Sequence, residues 1–239
     1  MMRHVWVMVV CLVIAVQAAG RHSEACTSFA VYSDEIIYGM NFDYYPHINI
    51  KFRLSKFKGQ MTFEQGFMGT HGFSGVSGMN QQGLFSSCQI LEPKQELTGA
   101  GSENDIYIFR LHQLALTGFS SVERIEKYIH KRRPVQYPPG PFLHNLVCDA
   151  SGDAVIIEPW QGETYQTKSD LGFIVMTNFL NHSLKGKSYK AASGAGSSRY
   201  KIAYDYISGH FKAFSVQHGL KTLEKARNIS RGFPTRCSM

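Results

Sequence analysis

The chain has 239 residues, 44% of them apolar and 18% charged, with a formal charge of +7 and five cysteines. That length and balance describe one globular domain, or one large sandwich, that buries a core; they exclude a disordered chain. The basic residues are scattered except for Lys131-Arg132-Arg133, a solvated helix end rather than a nucleic-acid surface, and no CxxC spacing points to zinc.

Arg3 and His4 precede an apolar run, Val5 to Val16, that is too short to span a bilayer, for which about 20 residues are needed. Small residues follow at Ala18-Ala19-Gly20 and at Ser23-Glu24-Ala25. This is the pattern of a secretory signal, so residues 1–25 are expected to be a leader. The chain is then secreted or extracytoplasmic, with a lysosomal destination open to a eukaryotic source, and does not span a membrane. A cut after Ala25 makes Cys26 the first residue of the mature chain. Cys11 leaves with the leader, and Cys88 and Cys148 are expected to be buried strand thiols.

Residues 26–33 and 36–42 read as a hairpin turning at Ser33-Asp34-Glu35, and 49–54 as a strand. The glycine-rich stretch 69–78 reads as a loop, and no GK[ST] follows to make it a phosphate cradle. Residues 83–91 read as a strand. Ile108, Leu111, Leu114 and Ala115 have helical spacing, and Ser120 with Glu123 has the form of a capping box for a second helix. Strands follow at 143–149, 154–160, 163–167 and 172–178, with Gly152-Asp153 as a tight turn, and then helices at 198–213 and 216–227. Ala191 to Ser198 is a short loop within a single domain, 26–239. This order suits two sheets packed face to face with helices outside. A single antiparallel sheet with helices remains open at this point.

An N-terminal cysteine joins a thiol to an α-amino group whose reference pKa is about 7.7 to 8.0, a nucleophile with its own base. Such chemistry needs a carboxylate to hold the amine, and Asp43 in "GMNFDY" is the candidate. It needs oxyanion donors, and Asn80 in "GMNQQGL" and Asn178 in "VMTNFL" are the candidates. A cation serves the thiolate or the tetrahedral intermediate, and Arg199 in "GSSRYKIA" opens a helix after a glycine-serine loop. Each has a plainer reading: Asp43 as a hairpin-end carboxylate, Asn80 as a turn residue, Asn178 as a strand-end cap, Arg199 as a surface helix residue. His71 and His144 have no partners at metal spacing, and no metal or cofactor is expected.

The segments "CTSFAVYS…YGMNFDY", "GMNQQGL", "MTNF" and "SSRYKIA", with "FSSVERIEKYI" and "HNLVCDASGDAVIIEP", occur in the order seen in the choloylglycine hydrolase family, which this chain resembles from Cys26 to its C-terminus. The resemblance implies an α+β fold, a four-layer αββα sandwich of two antiparallel sheets of the N-terminal nucleophile type. It implies hydrolysis of a non-peptide C–N bond in a linear N-acyl amide through a Cys26 thioester. It places Cys26 as nucleophile, Asp43 at the amine, Asn80 and Asn178 on the oxyanion side, and Arg199 near the nucleophile. Two features depart from the family. Met40 stands where bile salt hydrolases and penicillin V acylases usually carry arginine, which argues for apolar acyl groups and against bile salts or penicillin V. The terminal "PTRCSM" is expected to leave the second sheet short of its closing strands. An acyltransferase with the same acyl-enzyme, a weakly catalytic secreted binding protein, and a homo-oligomer all stay open. Of two glycosylation sequons, at Asn181 and Asn228, the first lies close to Asn178, so Asn228 is the expected acceptor.

Overall fold

The computed structural model describes residues 26–70, 72–93, 101–136, 140–229 and 232–239. The leader assigned to residues 1–25, and His71, lie outside the described residues. Strands β1 (Thr27–Tyr32) and β2 (Ile36–Asp43) form the expected hairpin, with Tyr32 opposite Ile36 and Thr27 opposite Asn41. Their alternation serves two cores at once. Phe29 and Val31 enter one hydrophobic cluster, and Cys26, Ala30, Met40 and Phe42 enter another. Strand β12 (Phe173–Met176) joins the free side of β1, and β13 (Thr235–Ser238) joins β2, completing a four-stranded antiparallel sheet in the order β12-β1-β2-β13.

The second sheet has seven antiparallel strands: β3 (Ile50–Phe57), β4 (Gln60–Gly69), β5 (Gly72–Asn80), β6 (Phe85–Ile90), β9 (Leu143–Cys148), β10 (Ala154–Trp160) and β11 (Glu163–Thr167). Its order is β11-β10-β9-β6-β5-β4-β3. A short parallel pair, β7 (Asp105–Tyr107) and β8 (Arg133–Val135), stands apart. Helices α1 (Ile108–Gly118) and α2 (Val122–Ile129) cover the outer face of the seven-stranded sheet through Leu111, Ala115, Ile125, Val147 and Val155. Helices α3 (Ser197–His210) and α4 (Val216–Lys225) cover the four-stranded sheet through Ala203, Ile207 and Leu223, which meet Phe29 and Val31. Between the sheets lie Cys26, Met40, Phe85, Leu146 and Ile156. The four layers are α, β, β, α, which rules out the single-sheet alternative.

Two local expectations are corrected. The glycine-rich stretch at 69–78 is mostly strand β5, and its neighbour β4 carries no signal in the sequence reading. The glycines there serve close approach rather than turning. A Cβ on Gly78 would sit 2.6 Å from the Phe63 carbonyl and 2.9 Å from Leu116 of α1, and one on Gly75 would sit 2.5 Å from the Glu64 carboxylate. The cap of α2 is Ser121, whose side chain accepts the Arg124 N–H, while Glu123 pairs with Lys127 instead of closing a box with Ser120. Strand β13 is the outer strand of the four-stranded sheet, and just past it Met239 exchanges both backbone bonds with Met40, at 2.8 and 2.9 Å. Among the described residues no helix is long and apolar enough to cross a membrane.

Gly39 of β2 lies under the fully buried Phe29 ring, where a Cβ would come within 2.5 Å of Cζ. Gly39→Ala forces Phe29 against Phe214, and overpacking of this kind costs about 1–3 kcal/mol. The expected outcome in a thermal melt is a Tm lowered by roughly 2–10 °C with the circular dichroism spectrum retained. A Tm at or above the parent's would show that the ring has room to move.

Candidate active site

Antiparallel pairing brings three strand ends together. Ser28 faces Met176, so Cys26 at the head of β1 lies beside Asn178, two residues past the end of β12. Thr27 faces Asn41, so Asp43 at the end of β2 lies on the other flank. The Cys26 nitrogen, a peptide N–H in the intact chain, donates to Asn178 Oδ1 at 2.8 Å. Its Sγ lies 3.8 Å from the Asp43 carbonyl oxygen.

Arg199, in the first turn of α3, binds these ends to one another. Its Nη1 donates to Asp43 Oδ2 at 2.9 Å, to the Cys26 carbonyl at 3.2 Å and to Thr27 Oγ1 at 3.4 Å, and its Nη2 donates to Asn178 Oδ1 at 3.2 Å. Gly196, the residue before α3, permits this approach. Its φ is 73°, and a Cβ there would meet Arg199 Nη2 at 2.7 Å and the Thr177 side chain at 2.9 Å. All four residues are buried.

The structure brings Cys26, Asp43, Asn178 and Arg199 into one hydrogen-bonded cluster and leaves Asn80 out of it. Asn80 Nδ2 donates to the Leu116 and Phe119 carbonyls, and its Oδ1 accepts from Gln82 and Leu84. With both amide protons engaged, it ties the end of α1 to the β5–β6 turn, which is the plainer reading of that asparagine. Asn178 Nδ2 is held by the Ile90 carbonyl at 2.8 Å, so in this structure the side chain positions the Cys26 nitrogen and does not aim a donor at an oxyanion. Met40 is fully buried in the inter-sheet cluster that contains Cys26. Phe42 and Tyr44 stack on Phe67, at 6.1 and 5.0 Å, and Tyr45 packs edge-on against Tyr44. Phe73, by contrast, lies under the Arg53 guanidinium at 4.2 Å and is not part of that aromatic wall.

Thr235 escaped the sequence reading. Its Oγ1 donates to Asp43 Oδ1 at 2.6 Å and accepts the Asn228 N–H at 2.8 Å. A register shift in β13 between Thr235 and Cys237 places it opposite Asp43. Nothing in "PTRCSM" marks this threonine, because the bond depends on a strand pairing across 192 positions. Burial pushes the Asp43 carboxyl up, to about 7, against the lowering effect of the Thr235 bond and the Arg199 charge. Burial pulls Arg199 down, opposed by Asp43 and Cys26. Burial pushes the Cys88 and Cys148 thiols well up, so both are inert strand thiols. Among the described residues no group of three His, Cys, Asp or Glu side chains is placed to hold a metal ion.

No family model matches the sequence, and no curated protein sequence matches it. Solved structures do match. A conjugated bile acid hydrolase from Clostridium perfringens is 16% identical, with a TM-score of 0.67 over 89% of this chain and 85% of that one. A penicillin V acylase from Agrobacterium tumefaciens is 18% identical, with a TM-score of 0.67 over 89% of this chain and 78% of that one. An N-acylethanolamine-hydrolyzing acid amidase ortholog from Caenorhabditis elegans is 13% identical, with a TM-score of 0.57 over 83% and 85%. The chain therefore shares its fold, an α+β sandwich of two antiparallel sheets between helices, with these choloylglycine-hydrolase-like structures.

The raised Asp43 carboxyl sets a pH dependence. A group whose folded pKa lies above its unfolded value contributes stability that is present below about pH 4 and lost as pH rises through about 7. Thermal melts between pH 5 and 8 are expected to show the parent losing stability relative to Asp43→Asn, and Thr235→Val moving the midpoint of that loss to higher pH. A parent-to-variant difference that stays constant across the range would remove the assignment.

Proposed function

We propose that the chain is a cysteine amidohydrolase that cleaves the C–N bond of a linear N-acyl amide, with Cys26 as an N-terminal nucleophile once residues 1–25 are removed. The observation that supports this best is the placement of the Cys26 nitrogen against Asn178 Oδ1 inside the Arg199 cluster. An acceptor at that position orients the lone pair of a freed amine toward its own thiol.

In the proposed reaction the neutral α-amino group takes the Sγ proton, and the thiolate adds to the amide carbonyl. The Asn178 amide, held by Ile90 in the resting arrangement, is the side-chain donor adjacent to the nucleophile that can turn toward the oxyanion. The α-ammonium protonates the leaving amine, which departs from a Cys26 thioester. Water, activated by the same amine, then releases the acid. Arg199 holds Asp43 and the Cys26 carbonyl throughout, so it is a positioning residue in this scheme. Transfer of the acyl group to an amine would use the same parts.

Intact mass of active protein is expected to begin at Cys26; activity in a chain that retains any earlier residue would end the proposal. Cys26→Ser is expected to lower turnover at least a thousandfold with the fold intact, since a hydroxyl ionises far less readily, whereas Cys88→Ser leaves the chemistry unchanged.

The proposed substrates carry fatty or aromatic acyl groups. Met40 presents an apolar, polarisable side chain beside Cys26, and Phe42, Tyr44 and Phe67 stack nearby. A panel of N-acyl amides is expected to show such compounds cleaved faster than glycine- or taurine-conjugated bile salts; the reverse order would reject this specificity. We further propose that the protein is exported. The two sequons then differ in burial: Asn181 is buried with its Nδ2 on the Val175 carbonyl, whereas Asn228, whose Nδ2 donates to the Phe233 carbonyl, is only half-buried.

A further inference from the structure

A cleft of about 440 Å³ lies away from Cys26, on the side of the sandwich where β11 and β12 are the edge strands of their sheets. Three consecutive residues of β12, Phe173, Ile174 and Val175, line it. The Phe173 and Val175 side chains turn to the helix-side core, whose Tyr189, Tyr200 and Tyr204 also line the cleft, and the Ile174 side chain turns to the inter-sheet core. The outer edge of β12, which no other strand covers among the described residues, runs between them.

The register says which backbone groups face outward. Tyr32 N–H bonds the Gly172 carbonyl, so the pairs Tyr32–Gly172, Ala30–Ile174 and Ser28–Met176 exchange bonds with β1. Phe173 and Val175, in the alternate pairs, point their N–H and C=O groups away from β1. The Val175 carbonyl accepts Asn181 Nδ2 at 3.0 Å, which confirms that direction. Among the described residues, nothing pairs with the Phe173 N–H, the Phe173 carbonyl or the Val175 N–H. Asn181 itself lines the cleft, is buried, and has no partner for its Oδ1. Buried main-chain groups without partners are rare and costly, and three such groups beside one unpartnered side-chain oxygen at a strand edge describe half of a ladder.

The cleft also has a charge. Lys185 and Lys187 line it, and no acidic side chain pairs with either among the described residues; the Lys187 ammonium rests on the Ser183 carbonyl. Lys168, on the opposite lip, is already shared between Glu126 and Asp153. Tyr189, Tyr200 and Tyr204 form an aromatic flank.

We propose that this cleft binds an extended acidic peptide segment that adds as a strand to the outer edge of β12. Its backbone pairs with Phe173 and Val175, the Asn181 side chain supplies the first rung, and a carboxylate two or three residues along meets Lys185 and Lys187. Main-chain bonds of this kind give affinity, and alternate side chains give specificity, here for apolar residues against the tyrosines. The proposal is independent of the chemistry assigned to Cys26.

The test uses the full chain and a fluorescein-labelled peptide, Val-Tyr-Val-Thr-Glu-Glu, followed by anisotropy at low salt. Saturable binding is expected, weakened at least tenfold by Lys185→Glu with Lys187→Glu, and abolished by N-methylation at alternate peptide positions but not at the positions between. Hydrogen exchange of the Phe173 and Val175 amides is expected to slow when peptide is added. Absence of binding up to millimolar peptide, equal sensitivity to N-methylation at every position, or full displacement by inorganic phosphate would each overturn the proposal, the last by showing a plain anion site.

Discussion

The buried pair of Arg199 and Asp43 is the constraint around which the site is built. Two charges removed from water are tolerated only when hydrogen bonds satisfy what the pair itself leaves over, and removing one partner of such a pair costs about 3–5 kcal/mol. Here Thr235 donates to one oxygen of Asp43 and Arg199 Nη1 to the other, while the same Nη1 also reaches the Cys26 carbonyl and Thr27 and Nη2 donates to Asn178. The elements that bring these groups are β1, β2, β13, the segment after β12 and the first turn of α3. The pair thus fixes the relative positions of all four strands of the smaller sheet and the helix that covers it.

The same geometry gathers the candidate site on that sheet. Its hairpin carries the thiol and the carboxylate, and its two outer strands lead to the residues that hold them. The seven-stranded sheet contributes support: the Ile90 carbonyl holds Asn178, and a buried set of Ser28, Ser87 and Gln89 joins the sheets just below Cys26. Asn80, at the far end of β5, is part of this support through its four bonds to backbone.

The two edges of the small sheet differ in a way that carries meaning. On the β13 side, Met239 and Thr235 complete the pairing with β2. On the β12 side the edge is capped by one side chain, Asn181, and otherwise opens onto a basic, tyrosine-lined cleft. Asn181 follows Asn178 by only three residues, so the strand edge and the catalytic candidate share one short stretch of chain.

Local pattern in the sequence was enough for the hairpin at 26–43, the strands from 143 to 178 and the two last helices, because alternation and helical spacing record which face of each element is buried. Motif order singled out Cys26, Asp43, Asn178 and Arg199 as one candidate set, and the fold brings these four into one hydrogen-bonded cluster because each lies at or just beyond an element's end. Three things were decided only by tertiary structure. Asn80 looks like its partner asparagine in sequence, yet α1 captures its amide. The glycines at 69–78 read as a loop until β4, Glu64 and Leu116 crowd them into a strand. Thr235 becomes part of the site only when β13 pairs with β2, a contact between residues 192 positions apart that no local pattern encodes.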